Sequence, residues 1–284
     1  MKRSDRIKLS FIRNWNLPGK ERLSHLLNPS NDLKQNIKDG IIWLNTEDIA
    51  IYTTADNYIE WTILSTGTYE AETGKLIRIS LKPGDTAIDI GANIGLQSIR
   101  MSQCVGAEGT VYAFEPLEYL QQKLKRNLAL NKAGNVTVFP YALSDAASET
   151  ELSVDDRAWN QGTFSLNNTF GNTKQAVTVK VGDNIPEVMG LQNVSLIKID
   201  VEGFEYHVLR GLINTLKKHR PRIIFEYDSN YWPGTGQSIH DCCNFLQSLN
   251  YKLYQITPVG CEPVINSAAI VSGNLFCIPG LSDE

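Results

Sequence analysis

The sequence predicts a doubly wound α/β fold with seven strands in a mostly parallel sheet, an antiparallel final strand and an N-terminal extension. Three observations support this prediction. From Pro83 onward, short β-branched runs alternate with amphipathic segments, which is the rhythm of βαβ units. The first strand ends near an acidic residue and continues into a glycine turn that opens a helix. The last connection, at 258–261, has no helical periodicity, so we expect its two strands to be antiparallel neighbours.

Hydrophobic spacing predicts the individual elements. The expected strands are Thr86–Ile90, Thr110–Phe114, Val136–Phe139, Ser195–Ile199, Arg222–Phe225, Tyr251–Ile256 and Asn274–Ile278. Between them, apolar residues recur on one face of three helices, and these faces should pack on the sheet. The three faces are Leu117, Leu120, Leu124 and Leu128; Val208, Leu209, Leu212, Ile213 and Leu216; and Ile239, Cys242, Cys243, Leu246 and Leu249.

The chain is predicted to divide into an N-terminal extension, 1–60, and a main domain, 61–284. In the extension, Ile7, Phe11 and Trp15 have helical spacing. A partly ordered arm is the favoured interpretation, and a helix that binds a membrane surface or a partner is the alternative. Within the main domain, the polar segment 151–181 is expected to be an insertion beside the functional site.

Composition places the chain among ordinary globular proteins. Apolar residues make up 42% of its 284 residues and charged residues 20%, and the formal net charge is -4. Such a charge gives no large cationic field, so no nucleic-acid partner is expected. The five cysteines form no C-x-x-C pair, the N-terminus lacks the apolar run of a secretory signal, and no segment is long enough to span a bilayer. We therefore expect a cytoplasmic protein.

A glycine turn after the first strand is the sharpest local motif. The strand ends near Asp89 and continues into the sequence Gly-Ala-Asn-Ile-Gly, from Gly91 to Gly95. Glycine permits backbone angles closed to other residues and lets main-chain N–H groups approach a ligand at the strand end. We expect this turn to bind a ligand; a turn that only packs the helix on the sheet is the alternative.

Glu115 is the second motif. It stands at the tip of the next strand, before Pro116, where a carboxylate can accept both hydroxyls of a ribose. The alternative is that Glu115 only caps the helix that starts at Pro116. A dinucleotide fold usually presents three glycines to hold a pyrophosphate, and this turn has two. Together with Asp89, the turn therefore favours an adenosine that carries a positively charged amino-acid tail.

These motifs resemble the FkbM family of S-adenosylmethionine-dependent methyltransferases. The segments that carry the resemblance are Lys82–Asp85, Ile88–Gly95, Phe114–Pro116, Ile197–Glu205, Leu209–Gly211, Phe225–Glu226 and Asn274–Phe276. The Asp-Val-Glu-Gly segment that starts at Asp200 is the most specific of them, and residues before about Trp61 lie outside the resemblance. The resemblance implies a class I, Rossmann-like methyltransferase fold with S-adenosylmethionine as cofactor.

The resemblance also implies roles for single residues. The glycine turn would shape the cofactor loop, Glu115 would hold the ribose, and Asp200 would sit near the methionine amino group. The segment after the third strand would lie against adenine, and Tyr69-Glu70 would cover the methionine end. The expected cofactor contacts are Tyr69, Glu70, Asp89, Gly91, Ala92, Asn93, Gly95, Glu115, Pro116, Ala142, Leu143, Ser144 and Asp200.

Carboxylates at strand tips are the candidate catalytic groups, because methyl transfer to a hydroxyl needs alignment and a base. We expect Glu202 or Glu226 to be that base, with Asp200 and Asp228 beside them. The alternative is that these residues orient loops, cap a helix or bind substrate hydroxyls. His207 titrates in a suitable range but is less favoured. Clustered carboxylates also suit Mg²⁺, so the sequence leaves the need for a metal open.

The predicted function is methylation of a small-molecule or glycan acceptor, as the resemblance implies, with O-methylation of a sugar, glycan or other natural product favoured over N-methylation. A nicotinamide-dependent oxidoreductase is one alternative, but it should show a third glycine and a Tyr-x-x-x-Lys pair. A non-catalytic nucleoside-binding regulatory module is the other. Aromatic residues are expected to flank the mouth of the site, with core packing as the alternative. They are Trp159, Phe164, Phe170, Tyr227, Tyr231 and Trp232.

Overall fold

The structure is a computed structural model that describes residues 3–15, 20–27, 40–44, 47–54, 57–154 and 173–280. Its strands are β1 (Gly40–Trp43), β2 (Ala50–Thr53), β3 (Thr86–Ile90), β4 (Thr110–Phe114), β5 (Val136–Phe139), β6 (Ala142–Ser144), β7 (Ser148–Val154), β8 (Thr173–Val181), β9 (Leu196–Ile199), β10 (Arg222–Tyr227), β11 (Tyr251–Thr257), β12 (Gly260–Pro263) and β13 (Gly273–Pro279). Its helices are α1 (Arg3–Arg13), α2 (Lys20–Leu26), α3 (Tyr58–Thr66), α4 (Ala71–Ser80), α5 (Leu96–Val105), α6 (Glu118–Leu130), α7 (Pro186–Met189), α8 (Glu205–Gly211), α9 (Ile213–His219) and α10 (Ile239–Ser248).

The main sheet has the strand order β12-β11-β13-β10-β9-β3-β4-β5. Neighbours from β5 to β10 are parallel, and β13 lies antiparallel between β10 and β11. The predicted fold class is confirmed, as is the expectation that the last two long strands are antiparallel neighbours. Because β3, β4, β9 and β10 are parallel, their carboxyl ends meet at one edge of the sheet.

Helices cover both faces of this sheet, as the alternation of strand side chains shows. Ile88 and Ile197 are fully buried in a cluster with residues of α8 and α10. Their chain neighbours Ala87 and Leu196 point the other way, into a cluster with residues of α4 and α5. Burial of one such isoleucine contributes about 1.5–3 kcal/mol, so the two clusters hold the central strands firmly in place.

Two local features differ from the sequence prediction. The segment 258–261, predicted as a plain connection, turns back as a hairpin in which Thr257 pairs with Gly260, and β12 becomes an eighth strand. The helix predicted over Val208 to Leu216 is divided into α8 and α9 at Leu212. Gly211 lies so close to β6 that an added Cβ would be 2.1 Å from the Ser144 carbonyl oxygen, and periodicity alone does not reveal this contact.

The segment predicted as a polar insertion is in part a β-hairpin. Strands β7 and β8 pair antiparallel, and β6 adds to β8 in parallel, which gives a second, three-stranded sheet. Leu152 and Val177 from this hairpin pack into the same core cluster as Leu120 of α6. The tip of the insertion, residues 155–172, with Trp159, Phe164 and Phe170, lies outside the described residues.

Helices α1 and α2 of the N-terminal extension pack on α3. The Trp61 indole N–H donates to the Ser24 carbonyl at 3.0 Å, and the Arg13 guanidinium donates to the Leu64 carbonyl. Since α3 runs across residue 60, the division of the chain at that residue stays a proposal. Among the described residues, no helix has the length and apolar character needed to cross a bilayer.

Candidate active site

A cavity of about 430 Å³ lies where the carboxyl ends of the parallel strands meet. Most of the expected site residues line it. Those that do are Tyr69, Glu70, Gly91, Asn93, Glu115, Pro116, Ala142, Leu143, Asp200, Glu202 and Glu226. The remaining lining residues include Tyr58, Ile59, Tyr141, Phe204, Asp228 and Tyr231. Residues far apart in the chain therefore converge at the predicted edge.

The glycine turn has the left-handed backbone that its sequence predicts, but Gly91 is required for another reason than the one expected. Gly91, Asn93 and Gly95 have φ values of 79°, 50° and 89°. A Cβ on Gly91 would lie 1.8 Å from the Asp200 carbonyl oxygen, so the close approach that requires glycine here is to the main chain directly after β9. Gly91 thus lets the tips of β3 and β9 touch.

Glu115 joins the two strand ends on the opposite side of the cavity. Its Oε2 accepts the Asn93 N–H at 2.8 Å and its Oε1 accepts the Leu117 N–H at 3.0 Å. Burial raises the pKa of this carboxyl to about 7, although the two N–H donors oppose the shift. The helix expected to start at Pro116 begins at Glu118, and its N-cap residue Leu117 makes no side-chain capping bond. A carboxylate has about four acceptor positions, so two stay available to a ligand.

Four of the expected cofactor contacts are not among the cavity-lining residues. Asp89 is fully buried and accepts a hydrogen bond from the Ser98 hydroxyl. It lies opposite Lys198 in the register of β3 and β9. Ala92 is buried in the core and Gly95 begins α5, where its Cβ position faces Leu124. The Ser144 hydroxyl donates to Asp145 instead. Alternation along a strand sends every second side chain away from the cavity.

Three carboxyls gather at the tips of β9 and β10. Oxygen atoms of Asp200, Glu202 and Glu226 all lie within 4.8 Å of one another, which is close enough to share a cation. The buried Lys198 ammonium donates to Asp200 Oδ2 at 2.8 Å. Burial opposes ionisation of Asp200, but the charge of Lys198 and the hydrogen bonds from Glu226 and Lys198 together lower the Asp200 pKa. Asp200 therefore stays ionised.

The other two carboxyls of this group keep their protons at neutral pH. The charge of Asp200, followed by burial, raises the pKa of Glu226 to about 11. Burial, followed by the charge of Asp200, raises the pKa of Glu202 to about 9. Since one ammonium cannot neutralise three carboxylates, the site holds protons in place of further cations.

A family model described as the methyltransferase FkbM domain matches residues 89–253, which is more than half of the chain. The chain belongs to this methyltransferase family. A hexuronic acid methyltransferase from Haloferax volcanii, AglP, is 28% identical over 150 residues, which cover 52% of this chain and 58% of the relative. Methyltransferase 1 from Beauveria bassiana is 30% identical over 149 residues, which cover 46% and 59%. The chain thus spans about three fifths of the length of these relatives.

Solved structures resemble the fold of this FkbM chain at low sequence identity. An FkbM methyltransferase from Methylobacillus flagellatus KT is 16% identical, with a TM-score of 0.45, and the match covers 78% of this chain and 53% of that one. An O-methyltransferase from Thermotoga maritima is 15% identical, with a TM-score of 0.45 and coverage of 86% and 79%.

The loop that carries Glu202 is held by a residue to which sequence reasoning assigned no role. Glu202 and Gly203 have φ values of 55° and 103°. The buried Glu205 carboxylate accepts the Val201 N–H at 2.9 Å and the Gly203 N–H at 3.0 Å, and burial raises its pKa to about 7. Glu205 thereby fixes a strained turn that aims Glu202 into the cavity of the FkbM domain.

Lys198 and Arg100 are the other functional residues that sequence reasoning missed. Lys198 stands in an otherwise apolar parallel strand, and a charge in such a strand is a signal of a buried ion pair. Arg100 is fully buried in α5 and donates to the main-chain oxygens of Tyr69 and Glu70. It holds the wall of the cavity at the place where the sequence predicts the cover of the methionine end.

The expectation that aromatic residues flank the mouth of the FkbM site needs correction in part. Trp232 does not flank the mouth: it is 1% exposed and packs against Phe225 and Tyr227 in the core, whereas Tyr231 does line the cavity. Tyr227, also expected at the mouth, is not among the lining residues. The direction of Trp232 does not follow from strand spacing, because it depends on where separate elements pack. His207, the less favoured candidate for the base, lies outside the lining, and its Nδ1 contacts Asp145 at 3.0 Å.

Proposed function

We propose that the cavity binds S-adenosylmethionine and that the chain transfers its methyl group to a hydroxyl of a neutral sugar, glycan or other natural product. One observation carries the proposal. Among the described lining residues, six are acidic and none is lysine, arginine or histidine. Such a lining offers a diphosphate no cationic side chain, while the ionised Asp200 favours a cation, which argues against the dinucleotide of the oxidoreductase alternative.

The residues that would hold the cofactor are the two sides of this cavity. Glu115 has free acceptor positions for two ribose hydroxyls, and Ala142 and Leu143 offer an apolar face to adenine. Asp200, ionised beside Lys198, suits an ammonium group. Bound S-adenosylmethionine supplies a methyl group on a sulfonium that itself drives an in-line displacement, so this chain has to supply alignment and a base.

We assign the base to Glu202 rather than Glu226. A carboxyl that already holds a proton cannot take one from a hydroxyl, and a positive charge in the cavity lowers the pKa of both groups. The charge of Asp200 is the largest cause that raises the Glu226 pKa, and a hydrogen bond to Asp200 raises it further, whereas burial is the largest cause for Glu202, so Glu226 holds its proton more firmly. Glu226 keeps its proton and donates it in a hydrogen bond to Asp200.

The acceptor is a neutral molecule in this proposal. One relative is named a hexuronic acid methyltransferase, which supports a sugar as acceptor. The acceptor end of this cavity nevertheless has four acids, Asp200, Glu202, Glu226 and Asp228, and no described lining residue is a cation that could pair with a uronate or with the phosphates of a nucleic acid. All five cysteines are free thiols, which supports a cytoplasmic location for the reaction.

Calorimetry tests the cofactor part of the proposal. Wild-type protein should bind S-adenosylmethionine and S-adenosylhomocysteine, and Glu115→Ala should weaken both by at least about 30-fold, which equals about 2 kcal/mol. Glu118→Ala, an exposed acid three residues further on, is the matched control and should bind like wild type. Wild-type protein that binds a nicotinamide dinucleotide and neither of these molecules would favour the oxidoreductase.

A labelled-methyl transfer screen tests the acceptor part. Matched pairs of sugars and their uronic acids should show transfer to the neutral member, and Glu202→Gln should lower the rate at least about 100-fold. The acceptor class is wrong if the uronic acids are methylated faster. Glu226→Gln is the informative comparison, because it keeps a donor for Asp200 and should retain more activity than Glu202→Gln.

A further inference from the structure

An acid of the N-terminal extension is paired inside the main domain. Glu47 lies between β1 and β2, outside the matched family region, and its side chain is only 7% exposed. Its Oε1 accepts Arg100 Nη2 at 2.6 Å and its Oε2 accepts Arg100 Nε at 2.8 Å, which is a bidentate pair. Such a pair fixes both the position and the plane of the guanidinium.

The rest of the Arg100 guanidinium reaches the wall of the cavity. Nη2 donates to the Tyr69 carbonyl at 2.9 Å, and Nη1 donates to the Glu70 carbonyl at 3.3 Å and to Gln97 Oε1 at 3.0 Å. Gln97 in turn donates to the Glu70 carboxylate at 2.6 Å. With the two bonds to Glu47, this network uses all five N–H donors of an arginine.

The wall segment needs this support because its backbone is strained. Glu70 has a φ of 46°, it precedes α4 and its side chain makes no helix-capping hydrogen bond. A non-glycine residue keeps a left-handed conformation only where its surroundings impose it. Helix α4 also passes so close to Arg100 that a Cβ on Gly74 would lie 2.9 Å from the guanidinium carbon. Tyr69 and Glu70 both line the cavity.

We propose that the N-terminal extension is a working part of the binding site: Glu47 fixes Arg100, and Arg100 holds the Tyr69-Glu70 wall in the conformation that binds the cofactor. Arg100 and Glu47 are positioning residues, since neither lines the cavity. Without Glu47, the buried guanidinium lacks its anion, and the Glu70 carboxylate, which already interacts with Arg100, is drawn toward it and away from the cavity. The affinity part of this inference rests on the proposed function; the structural part does not.

Hydrogen exchange on ligand-free protein tests the structural part, with Glu47→Gln compared to wild type. Amides of residues 68–76 should exchange about 10-fold faster, while those of α9 and α10, which pack on the opposite face of the sheet, should be unchanged. Glu47→Asp keeps the charge on a side chain one methylene shorter, and its exchange should be intermediate. Arg78→Gln is the matched control, because it removes the partly exposed second partner of Glu47 and leaves the Arg100 pair in place.

Calorimetry with S-adenosylhomocysteine on the same variants tests the affinity part. Glu47→Gln should bind about 10-fold more weakly, Glu47→Asp less so, and Arg78→Gln within about twofold of wild type. Unchanged exchange over residues 68–76 in Glu47→Gln overturns the proposal, and so does faster exchange over the whole chain, because it means general destabilisation. Faster local exchange with full affinity also overturns it. If wild type itself binds no cofactor, the exchange result still stands and the proposed function is what fails.

Discussion

Two sides of one cavity use the same chemical group in opposite ways. On the β4 side, Glu115 lies between two turns and accepts main-chain N–H groups from both. On the β9 and β10 side, Asp200, Glu202 and Glu226 face one another with a single buried ammonium, Lys198. Main-chain donors hold the first carboxyl in place, whereas in the second group the charge of Asp200 raises the pKa of Glu202 and of Glu226.

The difference shows that partners, not position at a strand tip, decide what a buried carboxyl does. Glu115 is a fixed acceptor, since its geometry is set by the backbone on both sides. Glu202 and Glu226 keep their protons at neutral pH, because burial and the charge of Asp200 raise the pKa of both groups. Chemically identical groups can have different roles when their surroundings shift their pKa values by different amounts.

The two sides meet where Gly91 touches Asp200, and the largest effect is expected there. In Gly91→Ala, the Cβ would lie 1.8 Å from the Asp200 carbonyl oxygen, so the strand tips must separate. We expect a loss of about 4 kcal/mol in the free energy of unfolding, measured by urea denaturation. Gly84→Ala has a similar positive φ but open space around its Cβ, and should lose only about 1 kcal/mol. Equal losses would mean that backbone strain, not contact between the sides, explains Gly91.

The stability of the carboxyl group on the β9 and β10 side should depend on the Lys198 ammonium. Lys198→Met leaves the Asp200 carboxylate buried without its partner, so we expect a loss of about 3 kcal/mol at pH 8. The loss should shrink as pH falls toward about 4, where the carboxyls take up protons. Lys180→Met, which removes an ammonium above the Tyr141 ring, should lose less than about 1 kcal/mol. A loss that does not change with pH would contradict the assigned ion pair.

Replacement of Glu226, which keeps its proton at neutral pH, should stabilise the ligand-free protein. The folded state keeps the Glu226 proton up to about pH 11, whereas an unfolded glutamic acid loses it near its ordinary pKa, so stability falls as pH rises between these values. Glu226→Gln stays neutral and can still donate to Asp200. We expect the free energy of unfolding to rise by about 1–2 kcal/mol at pH 8 and not at all at pH 4. Thermal unfolding at a series of pH values across this range measures the difference. The exposed Glu262→Gln should show no such pH dependence.

The smallest effect is expected at His207, which contacts neither Glu115 nor the group of three carboxyls. His207 contacts Asp145 outside the cavity lining, so His207→Gln should change the rate of methyl transfer less than about twofold. Steady-state rates from pH 6 to 9 provide the check. A loss above about 10-fold, with a changed pH profile, would make His207 the base and remove that role from Glu202.

Much of this site was predictable, because the carboxyl ends of parallel strands meet at one edge. Glu115, Asp200, Glu202 and Glu226 were expected in one cavity and line it together. Their catalytic and binding roles stay predictions. The network of Arg100 was not predictable, since Glu47 lies 53 positions away in the chain and nothing in its local sequence marks it as buried. Trp232 likewise enters the core because of contacts with other strands.

The sequence by itself determined the succession of the main strands along the chain, the left-handed glycine turn and the acids at the strand tips, because these depend on neighbours in the chain and on the two-residue period of a strand. Only the tertiary structure decided which acids hold protons, why Gly91 must be glycine and how the extension reaches the cavity wall. Desolvation, charge coupling and close backbone approach are set by distances between residues that are remote in sequence, and those distances exist only in the folded chain.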